Sequence, residues 1–212
     1  MISKRIKTIC SHIEPHKIIT DVGCDHGYLI KEAFDKYNIE FAYAIDNKIG
    51  PLESARNNLI GYKNVEFLLS DGLTDLKEDV EVVVIAGMGG MLIKDIIASN
   101  INKTKNVKRF ILQPNRDEYE LRKFMCSNGY YISDESIVSE NKKFYEIIVF
   151  EKGEKTYSEK EFTFGPILLM NNNKEFIEKW SEVYKKLSKI NAFHESEEKQ
   201  EILNEVKEII CK

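Results

Sequence analysis

With 212 residues, the chain has room for one ordinary domain and a small appendage; 42% hydrophobic and 31% charged residues describe a folded globular protein, not a disordered one. A formal net charge of −4 excludes a uniformly basic nucleic-acid binder. No apolar run approaches the ~20 residues that span a bilayer, and residues 1–7 have no apolar signal core, so a cytoplasmic protein without a membrane partner is expected.

Ile6, Ile9, Cys10 and Ile13 recur at helical spacing behind Ser3, a natural N-cap. A helix over 3–13 is therefore expected ahead of the first strand, able to cover the ligand side of the domain. Residues 17–22 read as a short buried strand. Gly23 and Gly27 open the turn after it, within Asp21-Val22-Gly23-Cys24-Asp25-His26-Gly27, and 28–34 read as a helix. Strand, glycine turn and helix form a ligand-binding unit, with the ligand beyond the carboxyl end of the strand. Residues 41–45 form a second apolar run that ends at Asp46 and Asn47. Asp46 lies nineteen residues after Gly27, placed to accept hydrogen bonds from the ribose hydroxyls of a nucleoside cofactor.

The turn is G-x-x-x-G with Asp21 and Asp25 around it, not the G-x-G-x-x-G of a pyrophosphate site. Two carboxylates repel a pyrophosphate and attract a cation. S-adenosylmethionine carries a sulfonium and an amino group, so it is favoured over a nicotinamide dinucleotide. The bland alternative is a set of turn and capping residues with no cofactor.

A helix is expected from about Pro51 to Leu59, stopped by Gly61. Residues 65–69 read as a third strand, ending at Ser70-Asp71-Gly72, where Asp71 can meet an adenine amino group. Residues 81–86 have the look of a buried parallel strand and run into Gly87-Met88-Gly89-Gly90. Three glycines in four residues imply a sharp turn or a close approach. In this topology a methyl acceptor meets its donor there, which makes Ala86, Gly87 and Met88 cofactor candidates and Gly89 and Gly90 acceptor candidates. Residues 91–97 continue as a helix. A fifth strand, 110–113, leads into Pro114 and Asn115; the amides of Gln113 and Asn115 suit a base edge as well as a plain turn. A helix from about Asp117, through Leu121 and Met125 and ending before Gly129, and two closing strands, 130–132 and 145–150, complete a doubly wound α/β sheet of the Rossmann-like kind.

Composition shifts near 151–161, so the domains are placed at 1–155 and 156–212. From Gly165 on, Phe176, Trp180, Val183, Leu187 and Ile190 form a heptad-like stripe, and Ile202, Leu203, Val206, Ile209 and Ile210 form a second. A helical hairpin turning over 191–196, with His194 in the turn, is expected: an RNA-holding arm, a dimer contact or simple packing.

The cysteines Cys10, Cys24, Cys126 and Cys211 include no C-x-x-C pair, so neither a metal site nor a disulfide framework is expected. Cys24 reads as a small side chain in a tight place before it reads as a nucleophile. Basic residues group at Lys4, Arg5 and Lys7, at Lys103, Lys105, Lys108 and Arg109, and at Arg116, Arg122 and Lys123. Each group is either a phosphate patch or a solvated surface.

Taken together, Ser3-Lys4-Arg5, the stretch 21–29, Gly50-Pro51 with Ser54-Ala55, Ser70-Asp71-Gly72-Leu73, 85–90, Leu112-Gln113-Pro114-Asn115, Glu140 with 145–148, and Phe164-Gly165-Pro166 resemble the bacterial TrmK family. These are S-adenosylmethionine-dependent methyltransferases of N1 of adenine 22 in tRNA. Two departures are Cys24, where Ser is expected, and Gly27, where Ala is common. The resemblance implies a class I methyltransferase domain followed by a coiled-coil-like helical domain, S-adenosylmethionine as cofactor and tRNA as partner, with a monomer or weak dimer expected.

On that reading N1 attacks through its in-plane lone pair, and the enzyme chiefly aligns donor and acceptor. Asp21, Gly23, Cys24, Gly27, Asp46, Asn47, Asp71, Gly72 and residues 86–88 hold the cofactor. Asp25 either stabilises the positive charge that develops on adenine or only anchors the cofactor, and His26 orients Asp25 or touches the base. Gln113, Pro114 and Asn115 read the flipped base. Lys4, Arg5 and Arg116 hold phosphates at the rim. A methyltransferase of another RNA or of a small molecule, a nicotinamide oxidoreductase and a non-catalytic RNA-binding protein stand as alternatives.

Overall fold

The computed structural model describes residues 2–193 and 197–210. Among these, seven strands form one sheet in the order β3-β2-β1-β4-β5-β7-β6. The strands are β1 (Ile18–Val22), β2 (Phe41–Asp46), β3 (Val65–Leu69), β4 (Val82–Met88), β5 (Arg109–Pro114), β6 (Tyr130–Glu140) and β7 (Lys143–Lys152). The first five pair in parallel; β7 runs antiparallel to both β5 and β6. Strand order reverses at β1, whose neighbours are β2 and β4, and this opens a crevice at their carboxyl ends.

The helices are α1 (Lys4–Ser11), α2 (Tyr28–Lys36), α3 (Ile49–Asn58), α4 (Gly90–Ala98), α5 (Glu118–Ser127), α6 (Glu159–Phe164), α7 (Pro166–Asn171), α8 (Lys174–Phe193) and α9 (Glu197–Ile210). Ser3 caps α1 as expected, its Oγ accepting from Ile6 N at 3.2 Å. The run 82–85 is apolar throughout because both faces are covered. Val82 and Val84 join one core with Ile9, Ile30 and Ala33; Val83 and Ile85 join a second with Ile93, Ile97 and Leu121.

The closing strands are far longer than 130–132 and 145–150. They form a hairpin joined at Asn141 and Lys142, which both take positive φ, +51° and +61°. That is the left-handed pair of a two-residue type I′ turn.

The helical part begins at α6, before Gly165. Tyr157 already donates to Ile132 O at 3.3 Å and accepts from Ile132 N at 3.0 Å. Phe176 and Trp180 of α8, Val206 and Ile209 of α9, and Phe164 and Leu168 share a third core with Ile137 of β6. Asn191 Nδ2 donates to Gln200 Oε1 at 3.1 Å, so α8 and α9 run antiparallel. α8 continues to Phe193, into the turn expected over 191–196; the rest of that turn, with His194, lies outside the described residues, as do Cys211 and the Ile190 side chain.

Members of two basic groups are structural. Arg122 is completely buried: its Nε donates to Glu135 Oε1 at 2.8 Å and its Nη2 to Glu146 Oε2 at 2.6 Å. Lys179 of α8 donates to Glu146 Oε1 at 2.6 Å, and Ile167 N to Glu135 Oε2 at 2.9 Å, so one ionic cluster ties the helical part to the sheet. Burial opposes ionisation of Glu146, yet Lys179 and Arg122 hold its carboxyl below the usual range. Lys108 pairs with Glu81 at 2.6 Å, and Arg109 with Glu151 at 2.5 Å, at the amino end of β5, away from the crevice.

Candidate active site

The crevice is a cleft of about 490 Å³, ordinary for a small-molecule site. The turn after β1, the ends of β2 and β4 and the turn after β3 form its floor. Ile6 and Ile9 of α1 and Leu92 and Ile96 of α4 flank it.

The turn after β1 is made by backbone. Gly23 N and Cys24 N donate to Ile45 O at 2.8 and 3.0 Å, and Gly27 N to Cys24 O at 2.7 Å. Gly27 has φ +70°, and a Cβ there would stand 2.9 Å from Leu59 Cδ1 and 3.3 Å from Ala55 Cβ. Its absence lets this turn seat against α3. Gly27 thus supports the cleft without lining it.

Acidic residues occupy three successive strand ends. Asp46 is almost buried; its Oδ1 accepts from Lys48 N at 3.0 Å and its Oδ2 from Asp25 N at 3.4 Å, which orients the carboxylate. Asp71 and Asn47 are exposed at the mouth beside the buried Gly72. Asp21 is buried on the floor, and no hydrogen-bond donor reaches it from the described residues. Burial first, then the charges of Asp46 and Asp25, push its carboxyl up to about 7. Such a group seeks a cation or a donor from a ligand.

Asp25 takes φ +47° and projects a carboxylate that is 70% exposed. Its Oδ2 is 3.7 Å from His26 Nε2, while His26 Nδ1 is 2.5 Å from Ser54 Oγ. Ser54 therefore sets the imidazole ring. Cys24 is buried against the core, and burial pushes its thiol up, which disfavours the thiolate that a nucleophile needs.

The glycine cluster answers to both of its expected causes. Gly87 has φ +79° at the point where the β4–β5 register shifts, a bulge. Gly90 is a close approach: its N donates to Arg116 O at 2.9 Å, and a Cβ would lie 2.7 Å from the carbonyl oxygens of Arg116 and Asp117.

Gln113 departs from its expected role. It is completely buried and its amide is saturated: Oε1 accepts from Gly87 N at 3.2 Å and Arg5 Nη1 at 2.9 Å, while Nε2 donates to Pro114 O and Asn115 Oδ1. It braces the loop and offers no free edge to a base. Pro114 is buried beside it. Asn115 is exposed, with Nδ2 donating to Gly87 O at 2.7 Å. Arg5 likewise is no rim residue. Its guanidinium lies 4.9 Å over the Tyr145 ring and lines the cleft. Lys4 pairs with Glu175 at 3.1 Å, joining α1 to α8. Arg116 is 81% exposed, beside Gly89.

Helix α1 covers the ligand side as expected, through Ile6 and Ile9. Sequence reasoning gave no role to Ser54 or Tyr145, although both lie in stretches that carry the resemblance, and read Leu92 and Ile96 only as helix positions, since ordinary helical periodicity accounts for them.

The sequence profile of the family described as tRNA (adenine(22)-N(1))-methyltransferase, TrmK, matches residues 19–212. The chain belongs to the TrmK family. It is 30% identical over 191 residues to the tRNA (adenine(22)-N(1))-methyltransferase of Bacillus subtilis, covering 85% of this chain and 80% of that one. Sp1610 of Streptococcus pneumoniae superposes with a TM-score of 0.93 at 36% identity, covering 99% of this chain and 100% of that one. The same protein in complex with S-adenosyl-L-methionine superposes with a TM-score of 0.91 at equal identity and coverage.

The cleft fits that cofactor of the family. It offers an undonated buried carboxylate, Asp21, to a cation, an oriented Asp46 to paired hydroxyls and an exposed Asp71 to an amino group. Among the described residues, no group of three or more His, Cys, Asp or Glu can hold a metal ion, and no helix is long and apolar enough to cross a membrane.

Proposed function

We propose that this TrmK-family chain methylates N1 of adenine 22 in tRNA, with residues 1–155 binding donor and target base and residues 156–212 steadying the RNA. The observation that carries the reading is the buried, undonated Asp21 at the floor of an acidic cleft, in a chain whose family is named for this reaction. S-adenosylmethionine, when bound, supplies an electrophilic methyl group on a positively charged sulfur.

Asp21 complements that charge, Asp46 and Asn47 hold the ribose, and Asp71 and Gly72 receive the adenine end, with residues 86–88 behind. N1 of neutral adenine needs no deprotonation, so alignment is the chief task. The acceptor approaches past Gly89, beside the exposed Arg116, while Gly90 seats α4 on the Arg116–Asp117 backbone that frames this side. Asp25 lies at the open end, where a carboxylate stabilises the charge that develops on the base. His26, set by Ser54, orients it. Asn115 contacts the base, Gln113 and Pro114 brace that contact, and Arg116 and Lys4 meet phosphates. N1 lies on the Watson–Crick edge, so the base must leave its pairing partner first. The protein acts in the cytoplasm, in keeping with a tRNA substrate, as a monomer or weak dimer.

The test is transfer of labelled methyl groups to an unmodified tRNA transcript by wild type and Asp25→Asn. Turnover falls about 100-fold in the variant if Asp25 stabilises charge. Full turnover with intact donor binding leaves Asp25 as an anchor only.

A further inference from the structure

A second cleft, of about 530 Å³, lies beside the first. The tip of the β6–β7 hairpin forms one wall, α8 the other, and Asn115 and Arg5 close the inner end. Arg5 lines both clefts, and Asn115 binds the Gly87 carbonyl of the first, so the two are continuous at the acceptor side of the site. The Arg5 Nε at this junction is buried with no partner among the described residues.

The second cleft is cationic in a protein that is net acidic. Arg5, Lys142, Lys143, Lys179 and Lys186 face two carboxylates, Glu118 and Glu182. Lys179 is occupied by Glu146 at 2.6 Å and by Glu118 at 3.5 Å, so Glu118 is already answered. Lys142, Lys143 and Lys186 are exposed and have no ion-pair partner among the described residues. They come from two separate elements and face one groove.

The turn supplies an independent sign. Lys142 sits at φ +61°, second in a type I′ turn, where glycine is the unstrained residue. A long side chain in the left-handed region carries strain, and strain that folding does not require gathers at functional positions. Glycine would make the turn better; lysine keeps a charge at the tip.

We infer that this second cleft binds the phosphate backbone of the RNA strand flanking the target nucleotide, with Lys142, Lys143 and Lys186 as the phosphate contacts. The inference rests on the proposed tRNA substrate. It assigns the hairpin tip and the facing side of α8 to one RNA path leading to Asn115. Phosphate contacts add affinity without sequence preference and are weakened by salt.

Lys142→Gly separates this role from a structural one, because it relieves the turn while removing the charge. Lys186→Gln removes a charge from an exposed helix position and serves as the second variant. Binding of a tRNA transcript is measured across a salt series, alongside steady-state kinetics, thermal midpoint and S-adenosylmethionine binding. For the double variant, the slope of log affinity against log salt flattens by roughly 0.7–0.9 per lysine removed, and KM for tRNA rises roughly tenfold. The thermal midpoint of Lys142→Gly stays level or rises, and donor binding does not change. A wild-type KM and salt slope in the double variant, with methyl transfer by the wild type intact, overturns the inference alone. A wild-type protein that binds the donor but neither binds nor methylates tRNA overturns the proposed function as well.

Discussion

Asp21→Asn removes a buried cleft carboxylate whose ionisation the fold opposes. Burial, Asp46 and Asp25 raise the Asp21 carboxyl to about 7, against about 3.9 in an unfolded chain. The folded, ligand-free protein therefore keeps a proton that the unfolded chain sheds. Its stability falls as pH rises from about 4 to about 7 and then levels off. A cationic ligand reverses the preference, because it needs Asp21 ionised. If it binds that form alone, affinity follows the ionised fraction, about 3% at pH 5.5 and about 75% at pH 7.5. Affinity then rises roughly 25-fold over this range, about 2 kcal/mol. Titration calorimetry of S-adenosylmethionine from pH 5.5 to 7.5 measures it. S-adenosylhomocysteine, which lacks the sulfonium charge, should show a shallower rise. Asp21→Asn should bind the donor with a flat pH profile, and its ligand-free form should melt higher than wild type at pH 8. A flat wild-type profile, or an unchanged slope in the variant, would refute the assignment of Asp21 to the cation.

Arg122→Ala leaves Glu135 and Glu146 buried without their shared cation, which costs about 3–5 kcal/mol and roughly 10 °C in thermal midpoint; a loss below about 1 kcal/mol in urea unfolding would show that the cluster does not hold the helical part to the sheet. Gly90→Ala forces α4 away from the backbone of Arg116 and Asp117, where a Cβ has 2.7 Å. Overpacking of this kind costs about 1–3 kcal/mol; methyl transfer should fall much further than donor affinity, and a variant with wild-type kinetics would count against the tight seat of this loop.

The parallel half of the fold is legible because its signals are local. Each of the first five strands is a short apolar run that ends in an acid, glycine or proline, and the spacing from Gly27 to Asp46 marks the nucleoside site without any tertiary knowledge. Both closing strands are legible, but the full length of the β6–β7 hairpin and its turn are not. Its turn is Asn141-Lys142, without glycine, and its strands carry Glu135 and Glu146 inward as partners of Arg122. A buried Arg122 beside Lys123 looks like a basic surface patch until the two glutamates, thirteen and twenty-four residues away, are seen to meet it. Gln113 and Arg5 show the same limit. Both lie in motifs that suggest contact with RNA, yet a hydrogen bond between side chains 108 residues apart turns one into a brace and draws the other off the rim. Residue type showed that these positions mattered; only packing showed for what.

The central claim is most directly tested by incubating the protein with S-adenosylmethionine and two tRNA transcripts that differ only in adenine or guanine at position 22, then mapping modification by reverse transcription. The account predicts a stop at position 22 of the adenine transcript and none on the guanine transcript. Tight donor binding with no stop at adenine 22, or equal stops on both transcripts, would contradict it.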